Sequence, residues 1–169
     1  VYTECNDPET GFIEDFAKAR NYSFSLATKP WIMWVDADDI IHNANLLKDI
    51  VNEYEMKLKL LNTDAPVLVK FPYEYAHDHN GNCTTFQWRE RLISNKNKFT
   101  WNHPIHEWLL CNDPGVLSNN IENGDNCHKV VFVHNRKDKA IDPNRNLRII
   151  EKYLEKNGES EVRFLYYAG

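Results

Sequence analysis

Apolar positions recur along this chain at two different periods, and the switches between them predict its elements. In residues 12–28, Phe12, Phe16, Ala19, Ser23 and Leu26 make a stripe at helical spacing, preceded by the turn-prone run Asn6-Asp7-Pro8-Glu9-Thr10-Gly11. Pro30 then restricts Lys29 to extended geometry. The following Trp31-Ile32-Met33-Trp34-Val35 has the length and bulk of a strand covered on both faces, as in a parallel or mixed sheet. Leu47, Ile50, Val51, Tyr54, Leu58 and Leu61 return to helical spacing, and Asn62-Thr63-Asp64-Ala65-Pro66 supplies a stop before a strand over residues 67–75. Helix, strand, helix, strand is the alternation of a layered α/β fold whose ligand site lies at the strand ends.

The middle of the chain reads as short strands and loops: residues 84–89, residues 99–101, then the aromatic-rich turn from His103 to Trp108. Residues 130–133 form the last clear strand. A closing helix follows, with Asp142 as N-cap, Pro143 in its first turn and Gly158 beyond its end, and a further short helix begins near Ser160. No repeat, low-complexity tract or Gly/Ser linker divides the chain. The expected organisation is one domain over residues 1–158 and the start of a helical extension over residues 159–169.

Composition narrows the function classes. With 42% hydrophobic and 12% aromatic residues, 169 residues suffice for a globular domain with a substantial core. The formal net charge of −5 argues against general attraction to nucleic acid or to an anionic membrane. No apolar run approaches the ~20 residues of a transmembrane helix, and no signal-peptide pattern is present. Cys5, Cys83, Cys111 and Cys127 lack close metal-ligand pairing, so free thiols in a reducing, cytoplasmic setting are expected.

The densest chemistry lies in Trp31-Ile-Met-Trp-Val-Asp-Ala-Asp-Asp-Ile-Ile41, where an apolar run meets three carboxylates. At the end of a strand, Asp36 and Asp38 point to one side while Ala37 faces the other. Carboxylates held together repel unless a cation neutralises them, and oxygen ligands of this kind suit Mg²⁺ or Mn²⁺ carrying a diphosphate. The competing reading is that Asp38 or Asp39 caps the next helix and Asp36 merely ends the strand. A second pair, His77 and His79, flanks Asp78, but Asp-His-Asn-Gly81 has the composition of a hairpin turn rather than a metal site.

Several segments together resemble the inverting family 2 glycosyltransferases of GT-A fold. They are Glu14-Asp-Phe-Ala-Lys-Ala-Arg-Asn21, the acidic run through Asp39, Phe99-Thr-Trp101, Ile105-His-Glu107, Val133-His134 and Asn144-Arg-Asn-Leu147, spanning nearly the whole chain. The resemblance implies a mixed GT-A-like sheet with flanking helices and transfer, with inversion, of a sugar from a nucleoside diphosphate to a glycan, lipid or protein hydroxyl. It assigns Asp36 and Asp38 to the metal on the diphosphate, with Asp39 as a weaker member that either caps a helix or reaches the donor sugar. It places Arg20 and Asn21 in the donor pocket, where a guanidinium matches phosphate oxygens; the alternative for Arg20 is an ion pair with Asp15 or Glu14. Glu107 becomes the base that removes the acceptor's proton, against a purely structural role in its turn. His134 becomes a further metal contact, against an ordinary structural role at a strand end, and the adjacent Asn135-Arg136-Lys137 reads either as a basic corner for the leaving diphosphate or equally as a solvated loop.

The family usually opens with a strand, a helix and a second strand that form the nucleotide-base pocket, and Val1-Tyr-Thr-Glu4 aligns after them. The expectation is an incomplete N-terminal end, completed by preceding sequence, by a partner chain such as a second copy, or by a local replacement. Two other functions compete: a non-catalytic carbohydrate-binding or assembly module of the same fold, and a two-metal nucleotidyl or phosphoryl transferase. The second is disfavoured by the lack of a Gly-rich phosphate loop and of a second convincing carboxylate pair.

Overall fold

Residues 67–75, rich in β-branched and aromatic side chains, build the strand around which the sheet is organised. The computed structural model describes residues 2–95, 98–119, 126–135 and 144–158. In chain order the elements are α1 (Phe16–Ser25), β1 (Trp31–Met33), β2 (Asp39–His42), α2 (Leu47–Leu60), β3 (Val67–His77), β4 (Cys83–Ser94), β5 (Phe99–Asn102), β6 (Trp108–Cys111), β7 (Leu117–Ser118), β8 (Val131–His134) and α3 (Arg145–Asn157). The fold is mixed α/β. One sheet runs β1-β4-β3-β8-β2 with β7 paired to β3, and β5-β6 form a second, small sheet. β3 is parallel to β7 and β8, while β1-β4, β3-β4 and β2-β8 are antiparallel.

The described residues gather into two units, each assembled from segments distant in sequence: residues 2–27, 99–110 and 144–158 in the first, and residues 28–95, 98, 111–119 and 126–135 in the second. Since the segments interleave, no linker composition marks the division. The second unit holds the main sheet. Its core joins Ile50 and Tyr54 of α2 to Val67, Val69, Phe71 and Tyr73 of β3, Leu92 of β4 and Phe132 of β8. The spacing of Ile50 and Tyr54 puts one face of α2 on this core, with Leu47, Val51 and Leu58 packed at its border. The first unit is centred on Ile105, Ile149 and Ile150, against which Phe16, Tyr153 and Leu154 pack.

Three expectations change. Trp31 to Val35 is not a doubly covered strand: among the described residues β1 pairs only with β4, Ile32 and Trp34 are buried, and Met33 and Val35 are exposed, the alternation of an edge strand with one solvated face. α1 is shorter than residues 12–28. Asp15 caps it by accepting the Lys18 N–H, and Phe12 and Leu26 are exposed while Ala17 is buried. A helix cannot begin before its capping residue, which removes Phe12 from the stripe. β4 is twice as long as the predicted 84–89, because its polar half continues into buried Arg91-Leu-Ile-Ser94.

The hairpin between β3 and β4 forms as its composition suggests. The Asp78 carboxylate accepts the N–H groups of Asn80 and Asn82, and Gly81 takes a positive φ of 84°, which costs a glycine little. Gly158 ends α3 with φ 77°, as the sequence predicted. The four cysteines are free thiols. Among the described residues no helix is long and apolar enough to cross a membrane. Asp142, Pro143, Ser160, the basic pair Arg136 and Lys137, and the extension over residues 159–169 lie outside the described residues.

Candidate functional site

β1 and β2 are consecutive in sequence yet stand at opposite ends of the sheet, with β4, β3 and β8 between them. The chain that links them carries the acidic run. It ends in a tight turn, closed by the Asp39 N–H donating to the Asp36 carbonyl at 3.0 Å, while the Asp36 N–H donates to Asp39 Oδ2 at 3.2 Å. Asp36 and Asp38 therefore do not alternate along a strand: β1 has ended at Met33, and a turn between them and the next strand sets their directions. Nor does Asp39 cap a helix. It is the first residue of β2, in register with His134 of β8.

Asp39 is the member that the fold encloses. Its side chain is fully buried, and Oδ2 pairs with Arg91 Nη2 at 3.0 Å while Oδ1 accepts from the Tyr73 hydroxyl at 3.1 Å. Arg91 is only 1% exposed and lies among three rings, its guanidinium carbon 3.8 Å from the centroid of Trp34, 4.5 Å from that of Tyr73 and 5.1 Å from that of Phe132. Its Nη1 lies 3.8 Å from Asp36 Oδ2, beyond hydrogen-bond reach. Aromatic faces and the two carboxylates together offset the cost of burying this cation. Burial pulls the Arg91 pKa down and Asp39 and Asp36 oppose that shift; guanidinium stays charged. Burial and then the Asp39 charge push the Tyr73 phenol well above its usual range, keeping it a hydrogen-bond donor.

Asp38 is exposed and faces the remaining member, His134. Nδ1 of His134 is 3.8 Å from Asp38 Oδ1 and 3.8 Å from Asp39 Oδ1, and it is buried with no hydrogen-bond partner among the described residues. The imidazole is held flat against Tyr75, with ring centroids 5.2 Å apart and planes 3° from parallel. Donor atoms of Asp38, Asp39 and His134 lie within 4.8 Å of one another. An orphaned ring nitrogen facing two carboxylate oxygens fits a divalent cation of the Mn²⁺ or Mg²⁺ kind. The set differs from the sequence assignment by exchanging Asp36 for Asp39.

The other assigned residues belong to the first unit. Arg20 Nε donates to Glu107 Oε1 at 2.7 Å, with both side chains largely buried, and the guanidinium lies 5.1 Å from the Trp101 ring centroid. The ion pair expected for Arg20 as the alternative to phosphate binding thus exists, with Glu107 as a partner that the sequence reading did not name. Asn21 spends its amide on β5: Oδ1 accepts the Trp101 N–H and Nδ2 donates to the Trp101 carbonyl, each at 2.9 Å. It latches α1 to Trp101, the buried residue of β5. His106, beside Glu107, has a positive φ of 52°, uncommon for a residue with a Cβ.

Arg91, Tyr73 and Tyr75 were missed. The signal for Arg91 was its run into Leu92-Ile93: a charge at the start of a buried strand segment needs a buried partner, and the acidic run is the natural source. No comparable signal marks Tyr73 or Tyr75. No protein-family model matches the chain, and no curated protein sequence matches it.

Proposed function

We propose that this chain is a metal-dependent glycosyltransferase of GT-A type, moving a sugar from a nucleoside diphosphate to a hydroxyl acceptor with inversion. The observation that carries the reading is the buried Nδ1 of His134, without a hydrogen-bond partner among the described residues and facing Asp38 and Asp39. Asp38, Asp39 and His134 would hold Mn²⁺ or Mg²⁺, which when bound supplies positive charge for the departing diphosphate. Arg91 and Tyr73 fix Asp39 by binding both its oxygens, and Tyr75 fixes the plane of His134, so the ligands are oriented before any cation arrives. Asp36 helps to neutralise Arg91. In the first unit, taken by itself, Glu107 is the candidate base for an acceptor hydroxyl's proton, and Arg20 sets the direction of its carboxylate.

Calorimetry of UDP, GDP, CDP and ADP with and without Mn²⁺ tests the site. Metal should strengthen binding in the parent chain, and Asp38→Ala and His134→Ala should each remove that enhancement without unfolding the protein. Equal binding with and without metal, or enhancement that survives both substitutions, overturns the assignment. Release of nucleoside diphosphate from a panel of nucleotide sugars then identifies the donor. Glu107→Gln should keep donor binding and lower transfer by a factor of about 10² to 10⁴, the usual range for loss of a positioned base.

A further inference from the structure

We propose that Glu74, His77 and Cys83, at the turn end of the β3-β4 hairpin, form a zinc site distinct from the acidic turn. In a regular strand, residues three apart point to opposite faces. Glu74 and His77 are three apart, yet Nε2 of His77 lies 2.9 Å from Oε2 of Glu74. The register explains this. Between the pairs Glu74-Phe86 and Ala76-Thr85 the first strand carries an extra residue, and between Ala76-Thr85 and His77-Cys83 the second strand does. A bulge reverses the facing of the residues beyond it, so Glu74 and His77 meet on one side. Cys83 stands directly opposite His77, and donor atoms of all three residues lie within 4.8 Å of one another.

The donor chemistry names the ion. Thiolate, imidazole and carboxylate together suit Zn²⁺, whereas Mg²⁺ and Mn²⁺ favour oxygen-rich sets such as the acidic turn. Three protein ligands leave a fourth tetrahedral position for water. In the metal-free chain a proton lies between His77 Nε2 and Glu74 Oε2, and the Cys83 thiol donates to the Thr85 carbonyl at 3.4 Å. Binding replaces the first proton and expels the thiol proton to solvent, so affinity rises with pH. The residues carry little core packing, the His77 and Glu74 side chains being 25% and 33% exposed and Cys83 exposed, so they are open to a cation from solution. His79 belongs to the hairpin turn, as its composition predicts, and the bulges bring Glu74 and Cys83 to His77.

Cobalt titration of the full chain, followed by zinc displacement, tests the site, because thiolate-to-cobalt charge-transfer absorption reports sulfur ligation. The parent should develop that absorption to a single equivalent and lose it to Zn²⁺. Cys83→Ser should abolish it, His77→Ala and Glu74→Gln should each weaken zinc affinity by at least about tenfold, and Asp38→Asn should leave it unchanged. Circular dichroism identifies any variant that misfolds, and Cys111→Ser serves as the thiol control. Absence of the absorption, its survival in Cys83→Ser, or parent-like zinc affinity in both His77→Ala and Glu74→Gln overturns the proposal. Loss of Mn²⁺-dependent nucleotide binding in Asp38→Ala with the cobalt signal intact keeps the two sites separate.

Discussion

Arg91 and Arg20 each hold a carboxylate, one in each unit, but their surroundings enclose them to different degrees. Around Arg91, one guanidinium faces Asp39 directly and Asp36 at longer range, while Asp38 and the orphaned nitrogen of His134 stand beyond its reach. Arg89 brings a second positive charge to the same place, its guanidinium carbon 5.8 Å from the centroid of the Trp34 ring that Arg91 also faces. Arg20 and Glu107 meet in a direct ion pair at 2.7 Å, beside the Trp101 ring. The two pairs thus differ in enclosure: Arg91 is 1% exposed and lies among three rings, whereas 21% of the Arg20 side chain remains exposed.

The contrast between the two arginines should be largest when each is removed. Arg91→Ala strands the buried Asp39 carboxylate and should cost about 3–5 kcal/mol, whereas Arg20→Ala should cost about 1–3 kcal/mol, in line with a lost charge-assisted hydrogen bond. Urea unfolding of both variants measures the gap, and equal losses would erase the difference between the two pairs. Adding Asp39→Asn to Arg91→Ala should recover part of the larger loss, because the stranded charge is then gone.

Asn21→Ala comes next. It removes the partners of both the Trp101 N–H and its carbonyl, and Trp101 is 2% exposed, so about 1–3 kcal/mol should be lost from the first unit. Amide hydrogen exchange should show faster opening at Trp101 itself; unchanged protection there would mean that Asn21 is no latch.

Tyr73→Phe probes the acidic turn more finely. Loss of its hydrogen bond to Asp39 should cost about 0.5–1.5 kcal/mol near neutral pH. Since the folded phenol titrates above its unfolded value, the stability it provides is complete below about pH 10 and falls as pH rises beyond it. The parent should therefore lose stability relative to Tyr73→Phe in alkaline urea titrations. A constant difference across that window would show that Tyr73 does not sense Asp39.

The smallest effect belongs to the hairpin. Hydrogen bonds from Asn82, with its side chain first, hold the Asp78 carboxyl below its usual range. Its contribution is present above the unfolded carboxyl value and is lost as pH falls through the folded one. Asp78→Ala should lower the melting temperature slightly at neutral pH and not at all in strong acid. It should also reduce the zinc affinity of the neighbouring cluster, whose geometry depends on the same turn.

Periodicity and punctuation were sufficient for α2, for the onset of β3, for the Asp78-Gly81 turn and for the glycine that ends α3, because each depends on neighbours a few residues away. The acidic run was legible as chemistry for a similar reason: three carboxylates following an apolar run demand a partner wherever they fold. Which carboxylate is enclosed was not legible. Asp36, Asp38 and Asp39 differ only in where the turn between β1 and β2 directs them, and that turn follows from β1 and β2 lying at opposite ends of the sheet. The assembly of Arg91, Tyr73 and His134 around Asp39 has the same origin, since four strands, separated by up to 95 positions in the chain from Asp39 to His134, bring one residue each. Bulges decided the Glu74-His77-Cys83 cluster, because one inserted residue reverses the face of every position after it. Local sequence thus determined the elements and the presence of charge to be neutralised; long-range strand order, which no short window contains, decided which groups neutralise it.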